Sequence, residues 1–288
     1  MIVDLHAHTY YSDGSLSPSE LVALAIQRCA SILAVTDHDS IAGVSEALTA
    51  ANGRDIKVIP GIEISCDVKC SSDTIHLVGL YLNTDYAPLK ELSRHKSEIR
   101  EIQTRKMMGL ANKYFKTNIT WEDLKTKTRG VPSRPHIAMA LLDKGIVKNI
   151  EKGIRFFLKG GSCYIESEEK NVSAEEAIKI IHGAGGIAIL AHLAAYKNEN
   201  KFVSYKEQEI LINELVHSGL DGIEIYIPGL SKEDKEFGES IVKKHRLLTS
   251  GGSDFHDEKF LPENKLGFID TTKTTLTVLH REAAFRSC

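Results

Sequence analysis

Residues Ser31–Asp39 read SILAVTDHD, a solid apolar run from Ile32 to Val35 that stops abruptly at Thr36-Asp37-His38-Asp39. A strand with one wet face alternates apolar and polar residues, whereas an unbroken run belongs to a strand covered on both sides. The same arrangement recurs in both directions along the chain. Ile2–Leu5 runs into His6, and IKVIPGIEIS (56–65) and TIHLVGLYL (74–82) follow. IAILAH (187–192), DGIEIYI (221–227) and LLTSGGSDFH (247–256) complete the series.

Helical signals separate many of these runs. Ser17-Pro18-Ser19-Glu20 is a capping box with Pro at the first helical position, followed by the periodic LVALAIQRCA. Ser173-Ala174-Glu175-Glu176 opens a second capped helix, which the Gly183-Ala184-Gly185-Gly186 breaker ends. Short apolar strands alternating with amphipathic helices predict an α/β fold with parallel strands buried on both faces. The polar residues fall at the carboxyl ends of the strands, where βα loops build the site of a barrel or a doubly wound sheet.

Residues 86–165 break the rhythm. They read as a long helix through about Leu89–Tyr114, a capped helix at Thr120 and another after Ser133-Arg134-Pro135. The expected organisation is a discontinuous barrel (1–85 and 166–288) with a helical insertion at 86–165.

The composition is that of an ordinary globular chain of 288 residues, 42% hydrophobic and 26% charged, with a net charge of −3. Disordered, fibrous and membrane-spanning classes are excluded, and no basic surface for long duplex nucleic acid is expected. Five cysteines without a CxxC, and an N-terminus without a signal peptide, point to a soluble cytoplasmic protein. The net figure hides a division. Between Lys90 and Lys159, 17 Lys and Arg stand against 7 Asp and Glu, a regional charge of +10, while the remainder carries −13. An acidic barrel beneath a basic insertion suits a short, multiply charged phosphate ligand and no membrane partner.

Nearly every proposed strand end carries a metal-ligand residue. His6 and His8 form an HxH pair, with Asp13 close behind in Ser12-Asp13-Gly14. His38 ends the second run, Glu63 follows Pro60-Gly61-Ile62, His76 lies on the next strand, and His192 ends IAILAH. Asp254 and His256 stand in Gly252-Ser253-Asp254-Phe255-His256. Six imidazoles and three carboxylates exceed what one divalent ion can use, so a two- or three-metal cluster is expected. Oxygen and nitrogen ligands without thiolate fit Mn, Fe or Zn. Asp37 and Asp39 are placed to orient histidine, with a helix cap the other reading for Asp39.

In that order, H-x-H, S-D-G, T-D-H-D, P-G-x-E, a lone strand His, A-H and G-x-S-D-x-H resemble the polymerase and histidinol phosphatase family of metal-dependent phosphoesterases. The resemblance spans about residues 1–85 and 170–260. It implies a distorted (β/α)7, TIM-like barrel and up to three ions. By resemblance, one ion takes His6, His8, Glu63 and Asp254; a second Glu63, His76 and His192; a third Asp13, His38 and His256. The insertion is similar to that of stand-alone bacterial members, which resemble enzymes removing the 3′-phosphate of nucleoside 3′,5′-bisphosphates or trimming RNA from its 5′ end.

The expected chemistry is in-line attack on phosphorus by a metal-activated hydroxide. No side chain is assigned as the general acid. The insertion is expected to hold a second phosphate through Arg134 and His136, with Arg100 next in line, because an arginine fork suits phosphate. A histidinol-phosphate or other small-molecule phosphatase is the alternative enzyme, against which the insertion argues. A non-catalytic metal-binding scaffold is the alternative of another class.

Overall fold

The computed structural model describes residues 1–71, 73–165, 170–193, 204–258, 263–267, 269–272 and 276–281. Its centre is a nearly closed, barrel-shaped sheet. The strands are β1 (Ile2–Asp4), β2 (Ala30–Val35), β3 (Lys57–Asp67), β4 (Thr74–Leu80), β5 (Val172–Ser173), β6 (Ile187–Leu190), β7 (Gly222–Tyr226), β8 (Leu248–Gly251) and β9 (Ile269–Asp270). Their order is β8-β7-β6-β4-β3-β2-β1-β9, with β5 pairing to β3 off that path. Past the ends of β8 and β1, a parallel bridge between Ala7 and Phe255 joins the two sides, and His8 donates its backbone N–H to Phe255 O at 2.8 Å.

One expectation needs correction. β1–β2–β3 and β6–β7–β8 are parallel, but β4 runs antiparallel to both β3 and β6. The connection of residues 68–73 is too short for a crossover helix, so the chain turns back beside β3. His76 therefore sits near the start of its strand, opposite Ser65 of β3, and still reaches the end of the barrel where the other strands finish.

Both faces of the sheet are apolar, as the unbroken runs require. Val3, Leu5, Ile32, Ala34, Ile59, Val78, Ile187 and Ile189 pack together in one cluster. Helices α1 (Pro18–Gln27) and α2 (Val44–Ala51) cover β2 through Leu21, Val22, Leu33, Val35 and Ala47. Helices α7 (Ala174–Gly183), α8 (Tyr205–His217) and α9 (Lys232–His245) cover β3, β4, β6 and β7. The capping boxes form as read: Ser17 Oγ accepts from Glu20 N at 3.1 Å, and Glu20 returns the bond to Ser17 N.

Helices α3 (Ala87–Phe115), α4 (Trp121–Lys125), α5 (Arg134–Asp143) and α6 (Ile150–Arg155) lie between β4 and β5. Met107, Ala111, Leu124, Ile137, Leu141, Phe157 and Cys163 give this segment its own apolar cluster. One of its attachments to the barrel converges on a single carbonyl. Tyr10 O accepts from Arg129 N, Gly130 N and the Thr128 hydroxyl, at 2.9, 3.1 and 2.6 Å.

Candidate metal centre

Glu63 is fully buried on β3 and is ringed by imidazoles. Its Oε1 lies 3.0 Å from His76 Nδ1 and 2.8 Å from His192 Nε2. Its Oε2 lies 2.8 Å from His38 Nδ1 and 3.3 Å from both His6 Nε2 and His8 Nε2. Asp254 Oδ1 approaches His8 and His6 at 3.1 and 3.5 Å. His256 Nε2 is 3.3 Å from Asp13 Oδ1, and its ring stacks on His8 with centroids 4.0 Å apart. All nine residues singled out by pattern thus meet at one end of the barrel.

Three sets bring their donor atoms within 4.8 Å of one another: His6, His8, Glu63 and Asp254; His8, Asp13, His38 and His256; and His38, Glu63 and His76. The first two contain the groups that the family resemblance implies. The third differs in one member, with His38 beside Glu63 and His76 where His192 is expected; His192 nevertheless touches both Glu63 and His76.

The electrostatics of the cluster call for positive charge. Burial raises the Glu63 carboxyl, but His38, His6 and His76 outweigh it and hold it well below the usual range. Asp13 and Asp254 are held down by their imidazoles in the same way. Burial lowers His256, yet Asp13 and Asp254 push it up to about 10. His8 is brought down to about 3 by burial and by His256 and His38. His6 Nε2, Asp13 Oδ1 and Glu63 Oε2 are buried and close to other side chains of the cluster, yet none makes a well-aligned hydrogen bond. Buried lone pairs converging without donors are what a coordinated cation satisfies, and the imidazole and carboxylate set fits divalent ions.

Backbone supports fix the ligand-type residues. Asp254 and Asp39 adopt positive φ, +51° and +54°, in positions where a carboxylate is needed and glycine cannot serve. Asp37 does not touch a histidine ring. It accepts from Thr9 N, the Thr9 hydroxyl and the Ser12 hydroxyl at 2.6–2.7 Å, fixing the loop that carries Asp13. Asp39 caps no helix, since α2 begins after Gly43. It accepts from Ser65 N and pairs with Arg100 and, at 3.7 Å, Lys96. Arg100, expected to meet a phosphate, is thus engaged with a carboxylate of the barrel. Two supports went unread in the sequence: Asp4, which accepts from Ser253 N and Gly267 N, and Glu224 on β7, which contacts His6. Each is a lone acid inside an apolar strand, and that is the signal that marks them.

His136 and Arg134 lie in the first turn of α5, His136 fully buried and Arg134 exposed. His136 Nδ1 accepts from Ser133 N at 2.9 Å, while its Nε2 is buried with no partner. Burial lowers the proton affinity of this ring, and the charges of Asp13 and Arg100 act on it in opposite directions.

The family model for the PHP domain matches residues 4–216. The chain belongs to the PHP domain family. It is 34% identical over 256 residues to a 5′-3′ exoribonuclease of Haemophilus influenzae, covering 88% of this chain and 89% of the relative. It is 33% identical over 260 residues to a 3′,5′-nucleoside bisphosphate phosphatase of Chromobacterium violaceum, covering 88% and 87%. Among solved structures, one assigned as a metal-dependent phosphoesterase, from Bifidobacterium adolescentis, superposes with a TM-score of 0.79 at 25% identity, covering 96% and 95%. In class this PHP protein is a metal-dependent phosphoesterase. Among the described residues, no helix is long and apolar enough to cross a membrane.

Proposed function

We propose that the chain hydrolyses phosphate monoesters, foremost the 3′-phosphate of nucleoside 3′,5′-bisphosphates, and that it also takes short 5′-phosphorylated RNA. Two or three divalent ions (Mn, Fe or Zn) would be held by His6, His8, Asp13, His38, Glu63, His76, His192, Asp254 and His256. When bound, such ions supply Lewis acidity toward phosphoryl oxygens and make hydroxide available at neutral pH. The residues themselves enclose the reacting phosphate in a buried site where charge interactions are strong.

The observation that carries the substrate reading is the Nε2–H of His136, a buried donor without a hydrogen-bond partner on a ring that feels the charge of Asp13. Because Nδ1 accepts from Ser133 N, the neutral ring keeps its proton on Nε2, ready for an anion. Arg134, two residues earlier in the same helical turn, is exposed and adds positive charge at the start of this helix. Residues 86–165 then act as a basic lid that holds the second phosphate while the cluster holds the first. The two named relatives, a bisphosphate phosphatase and a 5′-3′ exoribonuclease, support substrates carrying two phosphates or a 5′ end. The free thiols of Cys29, Cys66, Cys70 and Cys163 support a cytoplasmic setting.

Phosphate release from adenosine 3′,5′-bisphosphate and histidinol phosphate, and mononucleotide release from a 5′-phosphorylated trinucleotide, each with Mn²⁺ and after chelation, test the reading. The bisphosphate should be the best substrate by kcat/KM, with release abolished by chelator. Faster turnover of histidinol phosphate would overturn the substrate, and chelator-resistant release would overturn the metal centre.

A further inference from the structure

Six of the seven longer strands carry a ligand-type residue on the strand or just past its end; β7 carries none of the nine. At the matching level of β7 stands Glu224, only 2% exposed. Its two carboxylate oxygens lie 3.1 and 3.2 Å from His6 Nδ1, and its Oε2 also accepts from the backbone N–H of His192 at 2.8 Å. A buried carboxylate is costly to keep in an apolar strand unless its oxygens are satisfied. Here they are satisfied by two residues from different strand ends, those of β1 and β6, whose rings stack with centroids 5.7 Å apart.

We propose that Glu224 is a positioning residue of the metal centre, rather than a ligand: it fixes the His6 ring and the His192 backbone together. The inference rests on the metal reading above. Held at Nδ1 by the carboxylate, the His6 ring is turned so that Nε2 faces Glu63 Oε2 and Asp254 Oδ1, at 3.3 and 3.5 Å. The bond to His192 N holds a residue whose φ is +29°, a conformation that most side chains avoid. One carboxylate thereby sets the spacing between a ring from the end of β1 and a residue from the end of β6. No residue of the set Asp13, His38 and His256 touches Glu224 in the described contacts, so its influence falls on one side of the cluster.

Titration calorimetry with Mn²⁺ on chelator-stripped wild type and Glu224→Gln tests this. The amide keeps the volume but offers one acceptor in place of two, so one of the two bonds is lost. One ion should bind about 10–100-fold more weakly while the remaining affinity is unchanged, and excess Mn²⁺ should restore kcat. Wild-type affinity at every ion in Glu224→Gln would overturn the role of Glu224 and leave the metal centre standing. Equal weakening at every ion, with kcat not restored by Mn²⁺, would reduce Glu224 to a general structural part and also overturn it. A wild type that takes up no Mn²⁺ would overturn the centre itself, and the inference with it. Should Glu224→Gln fail to give a native circular dichroism spectrum, Glu224→Asp, one methylene shorter, is read by the same outcomes.

Discussion

Ser133 and His136 face each other across the first turn of α5, the backbone N–H of one donating to Nδ1 of the other at 2.9 Å. This bond leaves Nε2–H as the only group that His136 can offer a ligand. His136→Asn keeps an acceptor near the Nδ1 position and removes the Nε2–H. A hydrogen bond to a charged group is worth about 1.5–3 kcal/mol, so kcat/KM for adenosine 3′,5′-bisphosphate should fall by about 10- to 150-fold. Hydrolysis of a generic aryl monoester should change little, and equal losses on both substrates would remove His136 from phosphate recognition.

Burial brings the same imidazole down to about 4, with Asp13 raising it less than burial lowers it. The unfolded chain, with an ordinary histidine near 6.5, binds more protons between pH 4 and 6.5. His136 therefore subtracts stability as pH falls through that window and has no such effect above it. Urea unfolding at pH 7.5 and pH 5 should show wild type losing about 2 kcal/mol more than His136→Asn. A parallel loss in the two proteins would mean that the ring is protonated in the native state at pH 5.

Arg134 and Arg100 should part company when each is replaced. Arg134→Ala removes an exposed cation beside His136 and should raise KM for a bisphosphate far more than for a monoester. Arg100→Met leaves Asp39 with Ser65 and the more distant Lys96 and should destabilise the protein by about 2 kcal/mol. Its kinetic cost should fall on both substrates alike. Substrate-selective loss in Arg100→Met would return it to the phosphate.

Gly130 closes against the Tyr11 carbonyl so tightly that a Cβ there would lie 2.0 Å from the oxygen. Gly130→Ala must push the helical segment off the loop of residues 9–14, which carries Asp13. Overpacking of this kind costs about 1–3 kcal/mol. Thermal unfolding should register that loss, and Mn²⁺ titration should show weakening at the ion nearest Asp13. Unchanged metal affinity would mean that the loop holds its shape through Asp37 alone.

Much of this was legible beforehand because chemistry and fold share residues. His6, His38, Glu63 and His192 each end or interrupt an apolar run, so the pattern that marks a strand also marks its ligand. The reversal of β4 was not legible, since an apolar run such as TIHLVGLYL reads the same in either direction. Nor was the pairing of Arg100 with Asp39, which joins residues 61 positions apart through the tertiary fold. Glu224 was not legible either, because an acid in the middle of GIEIY (222–226) has no partner in its own neighbourhood of the sequence.

The reversal of β4 has a mechanical consequence. Running against its neighbours, β4 delivers the chain to the pole opposite the cluster, where Asn83 N–H meets Ala184 O just ahead of β6. Whatever is to cover the cluster must first climb back, and α3 makes that ascent. It leaves Leu89 and Leu92 against the barrel wall, passes the rim at Lys96 and Arg100, and buries Met107 and Ala111 beyond it. Arg100 stands thirteen positions past Ala87, about 20 Å along the helix. The lower half of α3 is thus bound to the barrel wall and its rim, while the upper half belongs to the core of the helical segment.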